Sequence, residues 1–515
     1  MRIEDFPLEL SPVPGAMPVW CAEVDAQQWR AIAQQVRAKG GRIVALWAAD
    51  VSDRARGFEV HLTLTVQSGL VWLILPVPQA QPEYPDLSDI FPAANRMQRA
   101  AFDLVGVRAA AADDARQWLR HAAWPSHAFP LRKTFALEAI FPGGNDAYPF
   151  VQVTGDGAHE IPVGPVHAGT IEPGHFRFSV VGERVLRLEE RLGYTHKAIE
   201  KRFESMRLME AARLAGRISG DSTVAYAWAY CMAAEGAAFA TVPERAAWLR
   251  ALLLERERIA NHLGDLGFLA NDAGLAFGLA QFSRLKEEVL RANQRWFGHR
   301  YLMDCIVPGG VAVDLDGDGS ETLREQGVGL RRQVLRLKDI FDDHPGLQDR
   351  FIAAGRVAPE LADRLGLCGL AGRASGLAWD LRVQFPPMPY DSLDVKMVTH
   401  RNGDVAARVI VRFEEILESL AVCAAILDRM PSGDTRGSLH VAPDGSIGLG
   451  WVEGWRGEVL IALECGHDDC LRRVHAHDPS WQNWPVLEHA VIGNIVPDFP
   501  LINKSFNLSY SGVDL

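Results

Sequence analysis

Hydrophobic and polar positions follow the pattern of a small mixed domain over the first 135 residues. A helical pattern over residues 25–39 precedes three strand-like runs, at residues 42–48, 58–66 and 71–77. A stretch rich in glycine and proline then follows at residues 141–149, and such a stretch favours a domain boundary. The pattern therefore predicts an α+β unit at the start of the chain.

Later in the chain the apolar residues recur every three or four positions, which is typical of long helices. Thr241 and Glu244 form a capping-box pattern around Pro243 and predict where the first long helix begins. A second long helix is predicted from Val405 to about Met430. The residues on the apolar faces are Trp248, Leu252, Ile259, Leu263 and Leu266 in the first helix and Val409, Phe413, Ile416, Leu420, Ala424 and Leu427 in the second.

Together these patterns predict an α+β fold with two domains. The first, over residues 1–140, is a small α+β domain, and the second, over residues 150–515, is large and mainly helical with small β-hairpin regions. Residues 176–188 have the pattern of one hairpin, and the dipeptide Asp444-Gly445 is a turn signal for another.

Residues 217–235 are a turn that opens a helix with small and aromatic residues on more than one side. A helix that is apolar nearly all round belongs inside a large core. Ser219 or Asp221 is predicted to cap its first turn by accepting a hydrogen bond from a backbone N–H. From the residues alone, this stretch is a capped core helix.

Composition and charge narrow the classes of function. The formal net charge of −12 argues against a nucleic-acid surface, which needs clustered Lys and Arg. No apolar run approaches the roughly 18 residues typical of a transmembrane helix, and the N-terminus lacks the layout of a signal peptide. The seven cysteines include no CxxC pair. We therefore expect a cytoplasmic protein that associates with membranes only through partners.

Two motifs resemble metal sites. Residues 314–325 fit the calcium-loop pattern of an EF-hand, but Val307-Pro308-Gly309-Gly310 precedes them where a helix is required. Residues 465–477 contain a set of cysteines and histidines that resembles a zinc site, but the sequence GHDD predicts a turn that would separate the ligands. That set is Cys465, His467, Cys470, His475 and His477.

The helix at residues 217–235 also resembles the large subunits of nickel–iron hydrogenases, which read R-[IV]-C-G-x-C-x-x-x-H followed by A-Y-C-x-A-x-E. Ser219 and Ser222 stand at the two cysteine positions, and Tyr226 stands at the histidine position. The matching residues are Arg217, Ile218, Gly220, Ala229, Tyr230, Cys231, Ala233 and Glu235.

The C-terminal residues 498–515 resemble the second hydrogenase motif, D-x-P-x-I-x-x-S-x-D-P-C-x-x-C. Ser509 and Gly512 stand at its two cysteine positions. Thiolates are the soft ligands that hold nickel and iron in these enzymes, whereas serine hydroxyls are weak, hard donors and glycine has no side chain. The resemblance therefore implies that this chain binds no metal and argues against an active nickel–iron hydrogenase.

The chain further resembles a fusion of the C and D subunits of respiratory complex I. Residues 84–107 and the PLRK at 130–133 resemble the C component, and the chain from about residue 150 resembles the D component. The D component holds its quinone with the tyrosine of R-x-D-Y and the second histidine of H-P-x-T-H-G, and these positions are Gly220 and Ile171 here. The first histidine, His167, and an acidic residue, Asp272, match.

The resemblance implies the large subunit of a membrane-associated, ion-translocating oxidoreductase complex. It would receive electrons from an iron–sulfur cluster in a small partner subunit and pass them to quinone or another small acceptor, beside antiporter-like membrane subunits. It would lie on the cytoplasmic side of the inner membrane, and the chain itself would bind no cofactor. The implied catalytic residues are His167, Arg217, Asp221, Tyr226 and Asp272, and the implied pocket positions are Ser219, Ser222, Ser509 and Gly512.

Structural roles remain open for three of these residues. Arg217 has the alternative of a solvated or ion-paired arginine at a helix start. His167 has the alternative of a hydrogen-bonded core histidine, and Asp272 that of a turn cap. For the whole chain, the alternative is a non-catalytic scaffold that docks partners around an inert pocket.

Overall fold

The first part of the chain forms a five-stranded sheet with helices packed on it and a separate two-stranded sheet of β6 and β7. This computed structural model describes residues 1–136, 138–145, 147–166 and 171–515. The first elements are β1 (Ser11–Pro12), β2 (Val19–Glu23), α1 (Ala26–Ala38), β3 (Arg42–Asp50), β4 (Phe58–Val66), β5 (Gly69–Val77), β6 (Glu83–Pro85), α2 (Ala94–Val105) and β7 (Arg108–Ala110). Five strands pair in the order β1–β2–β5–β4–β3, and β2 and β5 run parallel.

The predicted helix and three strands of this part are confirmed. Every residue of β4 is buried, although alternating strands usually leave one face in water. The later part of the chain covers the second face: Trp47 on β3 stacks on His475 with ring centroids 4.5 Å apart. Arg96 of α2 also donates to Glu190 and Glu488, at 2.6 and 2.8 Å.

The second part is mainly helical, as predicted, with short sheets between the helices. Its elements are β8 (Ala158–Val163), β9 (His175–Val181), β10 (Arg184–Arg191), α3 (Ile199–Phe203), α4 (Leu208–Ala215), α5 (Thr223–Ala237), α6 (Glu244–Asp272), α7 (Ala276–Phe297), β11 (Ile306–Val307), β12 (Gly310–Val311), α8 (Gly317–Asp343), α9 (Pro345–Phe351), α10 (Pro359–Leu365), α11 (Gly369–Ala374), α12 (Leu381–Gln384), α13 (Val405–Arg429), β13 (Ile447–Glu453), β14 (Glu458–Cys465), β15 (Leu471–His477), α14 (Ser480–Ala490), α15 (Phe499–Phe506) and α16 (Ser511–Asp514).

Helix α5 is buried along its whole length. Two glycines of β13 allow the strand to approach it closely. A Cβ atom at Gly448 would lie 1.9 Å from the carbonyl oxygen of Ala233, and one at Gly450 would lie 1.8 Å from that of Ala229. The alanines four residues apart on α5 present the matching shallow face. This packing fixes the start of α5 relative to the β13–β14 hairpin.

The two long helices pair with each other as the apolar pattern predicts. His262 of α6 contacts Glu415 of α13 at 2.8 Å, and Arg412 of α13 donates to Asp265 at 2.9 Å. The predicted capping box at Thr241 is wrong, because α6 begins after Pro243 with no side-chain capping bond. Of the predicted apolar faces, only Ala424 is exposed.

One predicted hairpin is confirmed and the other lies elsewhere. β9 and β10 form the hairpin predicted at residues 176–188. Asp444-Gly445 precedes β13 instead of joining two strands, so that prediction is wrong. The hairpin turn is at residues 454–457, where Gly454 and Gly457 exchange backbone hydrogen bonds.

Candidate functional site

The turn before α5 belongs to the stretch at residues 217–235 that the sequence singled out. The first backbone N–H groups of α5 are capped by a side chain from a different helix. Residues Gly220–Ser222 form one turn of 3-10 helix, and neither Ser219 nor Ser222 makes a side-chain capping bond. The carboxylate of Glu257 on α6 accepts from the N–H groups of Val224 and Ala225, at 2.7 and 3.2 Å. The predicted cap from Ser219 or Asp221 is therefore wrong, because a buried carboxylate already occupies that place.

The position of Glu257 at this cap changes the pKa of its carboxyl. Burial raises the pKa of its carboxyl to about 8, against the opposing effect of the two N–H donors. Sequence periodicity places Glu257 on α6 but gives no sign that it faces another helix start.

The serine positions identified from the resemblance meet in one place, which we call the serine pocket (Ser219, Ser222, Ser509 and Gly512). The hydroxyl oxygens of Ser219 and Ser509 are 3.0 Å apart, and Ser509 Oγ accepts from the N–H of Gly512 at 2.9 Å. A Cβ atom at Gly512 would lie 2.6 Å from Asp478 Oδ2, so this position has no room for a side chain. Hydrogen bonds between the chain's own groups therefore join these positions.

An ion pair lies at the edge of the serine pocket. Arg456 donates to both carboxylate oxygens of Asp221, at 3.0 and 2.6 Å, and to Ser222 Oγ at 3.3 Å. The guanidinium also lies over the ring of Trp455, 3.9 Å from the centroid. The Asp221 side chain is 40% exposed, whereas that of Arg456 is 6% exposed. The pocket is thus open to the surface at Asp221.

Arg456 controls the charge of Asp221. Partial burial favours the neutral acid, but the ion pair outweighs it and lowers the pKa of Asp221 to about 2. Asn261 and Trp455 both donate to the backbone carbonyl of Asp221, at 2.8 and 2.9 Å. Asp221 therefore stays ionised and fixed at neutral pH.

Tyr226 stands behind the serine pocket. Its hydroxyl donates to Asp478 Oδ2 at 2.7 Å, and both residues are buried. Burial and the neighbouring carboxylate raise the pKa of Tyr226 well above its ordinary value. Tyr226 is therefore a fixed hydrogen-bond donor, and Asp478 is a pocket residue that the sequence did not indicate.

Two further predicted catalytic residues, Arg217 and Asp272, lie outside the hydrogen bonds that join the serine pocket. Arg217 is on the surface, where it donates to both carboxylate oxygens of Asp304 at 2.6 and 2.7 Å. Asp272 is the last residue of α6, about 16 Å along the helix axis from Asn261. Burial raises the pKa of Asp272 against the charge of Lys504. His167 lies outside the described residues. The catalytic roles of all three stay predictions.

Arg456 and Trp455 are pocket residues that sequence reasoning missed. They belong to the turn at 454–457, more than two hundred residues after Asp221. A glycine at each end of a Trp-Arg pair signals a turn, but no local pattern indicates which charge the arginine meets.

The donor groups of the serine pocket do not fit a nickel–iron centre, since three hydroxyls and a glycine supply no soft ligand. Within the described residues, no three His, Cys, Asp or Glu side chains are grouped to hold a metal ion. The predicted turn at residues 466–469 is confirmed. His475, on the strand after this turn, contacts Glu200 at 2.6 Å. The calcium-loop motif is mostly helical, because α8 begins at Gly317 with Asp316 as its cap.

Comparisons with known proteins agree with the two-part organisation. Residues 22–140 match the family model of the respiratory-chain NADH dehydrogenase 30 kDa subunit, and residues 272–443 match that of the 49 kDa subunit. Formate hydrogenlyase subunit 5 of Escherichia coli (strain K12) is 31% identical over 484 residues, covering 92% of this chain and 85% of the relative. The fused C/D subunit of NADH-quinone oxidoreductase from Bacteroides thetaiotaomicron is 29% identical over 451 residues, covering 83% of this chain and 84% of the relative.

Among solved structures, the chain is similar to a chain of the membrane-bound sulfane sulfur reductase, an archaeal respiratory membrane complex. The TM-score is 0.66 and the identity 25%, and the match covers 70% of this chain and 98% of the other. No helix in the described part of this chain is long and apolar enough to cross a bilayer.

Proposed function

This chain belongs to the family that contains formate hydrogenlyase subunit 5 and the C/D subunits of NADH-quinone oxidoreductase, and we propose that it is the large subunit of a membrane-associated, ion-translocating oxidoreductase complex. It takes electrons from an iron–sulfur cluster in a small partner subunit. It passes them to quinone or another small acceptor at the serine pocket. Antiporter-like membrane subunits complete the complex, and the chain is peripheral on the cytoplasmic side of the inner membrane.

The observation that carries this proposal is the ion pair at the open edge of the serine pocket. Asp221 is partly exposed and ionised, and the buried Arg456 holds it. Reduction of a quinone consumes protons as well as electrons, so an acceptor site needs charged and hydrogen-bonding groups at its edge. Asp221, Arg456 and Tyr226 are the groups that this pocket offers to orient an acceptor and its protons.

A scaffold role is the second candidate, and one specific observation favours it. Ser219, Ser509 and Gly512 hydrogen-bond to one another, so these groups are satisfied without a ligand. In this alternative the pocket only holds the turn in place for partner docking.

An Asp221→Asn variant separates the two candidates in the assembled complex. We expect subunit stoichiometry to be unchanged and acceptor reduction in membranes to fall about 100-fold, the scale of a reactant held about 1 Å out of place once a charge that orients it is lost. Asp342→Asn, which removes an exposed carboxylate paired with Lys338 on α8, is the matched control and should keep the wild-type rate. Wild-type rates from both variants would favour the scaffold.

Metal content provides an independent test. Because the serine pocket lacks thiolates, the purified complex should contain no stoichiometric nickel attributable to this chain and should neither take up nor evolve hydrogen. Elemental analysis that finds about one nickel per chain would contradict the proposal.

A further inference from the structure

Four carboxylates meet in the interior beside the start of the turn at residues 454–457. They come from α6, α13, the residue before α12 and the end of β13, and each is at most 2% exposed. They are Glu255, Asp380, Glu415 and Glu453.

Three arginines lie among these carboxylates. Arg373 contacts Glu415 and Glu453, both at 2.7 Å. Arg382 contacts Asp380 at 2.7 Å and Glu255 at 3.0 Å. Arg258, fully buried, lies 3.4 Å from Glu255. These seven residues, which we call the buried charge cluster, contain four acids and three permanent cations.

The groups around the cluster do not remove this excess of one acid. His262 contacts Glu415 at 2.8 Å, but burial lowers the pKa of its ring. Glu458 on β14 is itself paired with Arg42 on β3. From neighbouring elements in the described part of the chain, the neutral hydroxyls of Tyr390 and Ser419 also donate to Glu255, both at 2.6 Å. An unpaired buried charge is costly, so one acid of the cluster must hold a proton.

The contacts indicate which acid holds it. The Asp380 carboxylate accepts from Nε and Nη2 of Arg382 and from a backbone N–H. Glu453 has one arginine contact, from Arg373, and a longer bond from the N–H of Leu381 at 3.2 Å. Burial and then the charge of Asp380 raise the pKa of Glu453 to about 7, whereas the arginines lower that of Asp380.

Glu453 is also joined to the serine pocket through the backbone. It is the last residue of β13, and Arg456 lies three residues further along the same turn. Arg258 donates to the carbonyl oxygens of Glu453 and Gly454, at 2.6 and 3.0 Å. Arg258 is a member of the buried charge cluster through Glu255, and it also holds the turn that carries Arg456 to Asp221.

We propose that Glu453 is a buried proton-binding site whose occupancy is coupled, through the turn at residues 454–457, to the Arg456–Asp221 pair. The step is a simple protonation: the carboxylate gains one proton and no electron, and the cluster then balances three ionised acids against three arginines. The use of this proton in turnover rests on the proposed function, whereas the existence of the site rests on the cluster alone.

Infrared difference spectroscopy of the assembled complex tests the site without an electron donor or acceptor. As the pH is raised through 7, the spectra should lose a carboxylic-acid band, and the midpoint of this loss should lie near the pKa of Glu453. Glu453→Gln should assemble and lose this component. Glu458→Gln, a buried neighbour paired with Arg42, is the matched control and should keep it. Glu257, whose pKa is about 8, should give a separate component at higher pH.

A component that persists unchanged in Glu453→Gln would overturn the assignment. If that variant fails to assemble, Glu453→Asp keeps an acid at this place and must change the frequency or midpoint of the component, and an unaltered component would again overturn it. The coupling has its own test, because linkage is reciprocal. Asp221→Asn should lower the midpoint of the Glu453 component, and an unshifted midpoint would overturn the coupling.

The two proposals fail in distinguishable ways. Acceptor reduction that is insensitive to Asp221→Asn would contradict the proposed function and leave the Glu453 titration intact. A missing Glu453 component would contradict the proton site even in a complex that turns over normally.

Discussion

Two polar regions are connected by the turn at residues 454–457, and they balance their charges differently. The serine pocket contains one ion pair, Asp221 with Arg456, and neutral hydroxyls that bond to one another. The buried charge cluster contains four acids and three arginines. The pocket can place the carboxylate of its ion pair partly in water, but the cluster cannot place any of its carboxylates there. A fully buried region with more acids than cations must therefore bind a proton. A carboxylate at the edge of a pocket, which is partly in water, needs only one cation as its partner.

Removal of a paired acid from the cluster should have the largest effect on stability. Glu415→Gln removes one of the two carboxylates that contact Arg373 at 2.7 Å, together with the partner of His262, and should lower the free energy of unfolding by about 3–5 kcal/mol. Glu453→Gln should change it far less, because the amide resembles the protonated acid already present. Denaturant unfolding of both variants makes the comparison. Equal losses would contradict the unequal roles assigned to the two acids.

The two regions should respond to pH with opposite signs. The pKa of Glu453 is raised from 4.5 to about 7, so the native state binds more protons than the unfolded state in that window. Its contribution to stability, of a few kcal/mol, is present below about pH 4.5 and is lost as the pH rises through 7. The pKa of Asp221 is lowered from 3.8 to about 2, so its contribution is lost as the pH falls from about 4 towards 2.

Variants separate the pH dependence of the unfolding free energy that Glu453 and Asp221 cause from the part that other ionisable groups cause. The difference in unfolding free energy between wild type and Glu453→Gln should depend on pH between about 4.5 and 7. The difference for Asp221→Asn should depend on pH only in acid and should be smaller, because its side chain is 40% exposed. If both differences in unfolding free energy changed in the same direction with rising pH, the opposite roles assigned to the two regions would be contradicted.

Loss of the cation from the serine pocket should have an intermediate effect. Arg456→Met leaves Asp221 without its partner and removes the contact with Trp455. A fully buried orphan charge costs about 3–5 kcal/mol, and the partial exposure of Asp221 reduces our expectation to about 2 kcal/mol. Thermal unfolding of this variant beside Asp221→Asn measures it. A loss as large as that of Glu415→Gln would show that the pocket is closed to water.

Local periodicity was sufficient to predict several of the elements but not the contacts between distant charges. The apolar faces of α6 and α13 predicted two paired helices, because one face of each must be buried. Nothing in that pattern indicates that Glu257 caps α5 or that Glu453 lacks a full complement of arginine contacts. Both facts depend on the packing of segments far apart in sequence.

Two site predictions illustrate the same limit. The resemblance assigned Ser219, Ser222 and Ser509 to one pocket from short motifs, and the hydroxyl oxygens of Ser219 and Ser509 are 3.0 Å apart. Their role in a functional site stays a prediction. The resemblance also grouped Asp272 with them, but α6 continues to that residue, so the helix rise carries it about 16 Å from Asn261. The turn signal at Asp444-Gly445 failed because the strand begins after it and the hairpin closes at residues 454–457.

The smallest effect on stability is expected at Arg217, outside both regions. Its ion pair with Asp304 is exposed, with side chains 42% and 38% accessible. Such pairs contribute about 0.2–1 kcal/mol, so Arg217→Ala should leave the free energy of unfolding within about 1 kcal/mol of wild type.

If this turn is the docking face for the iron–sulfur subunit, the same variant should still reduce the amount of that subunit recovered with the complex. Asp304→Asn is the matched control, because it removes the same ion pair and keeps the cation. Reduced recovery with Arg217→Ala alone would assign the cation to docking, whereas equal recovery from both variants would leave Arg217 as a surface ion pair.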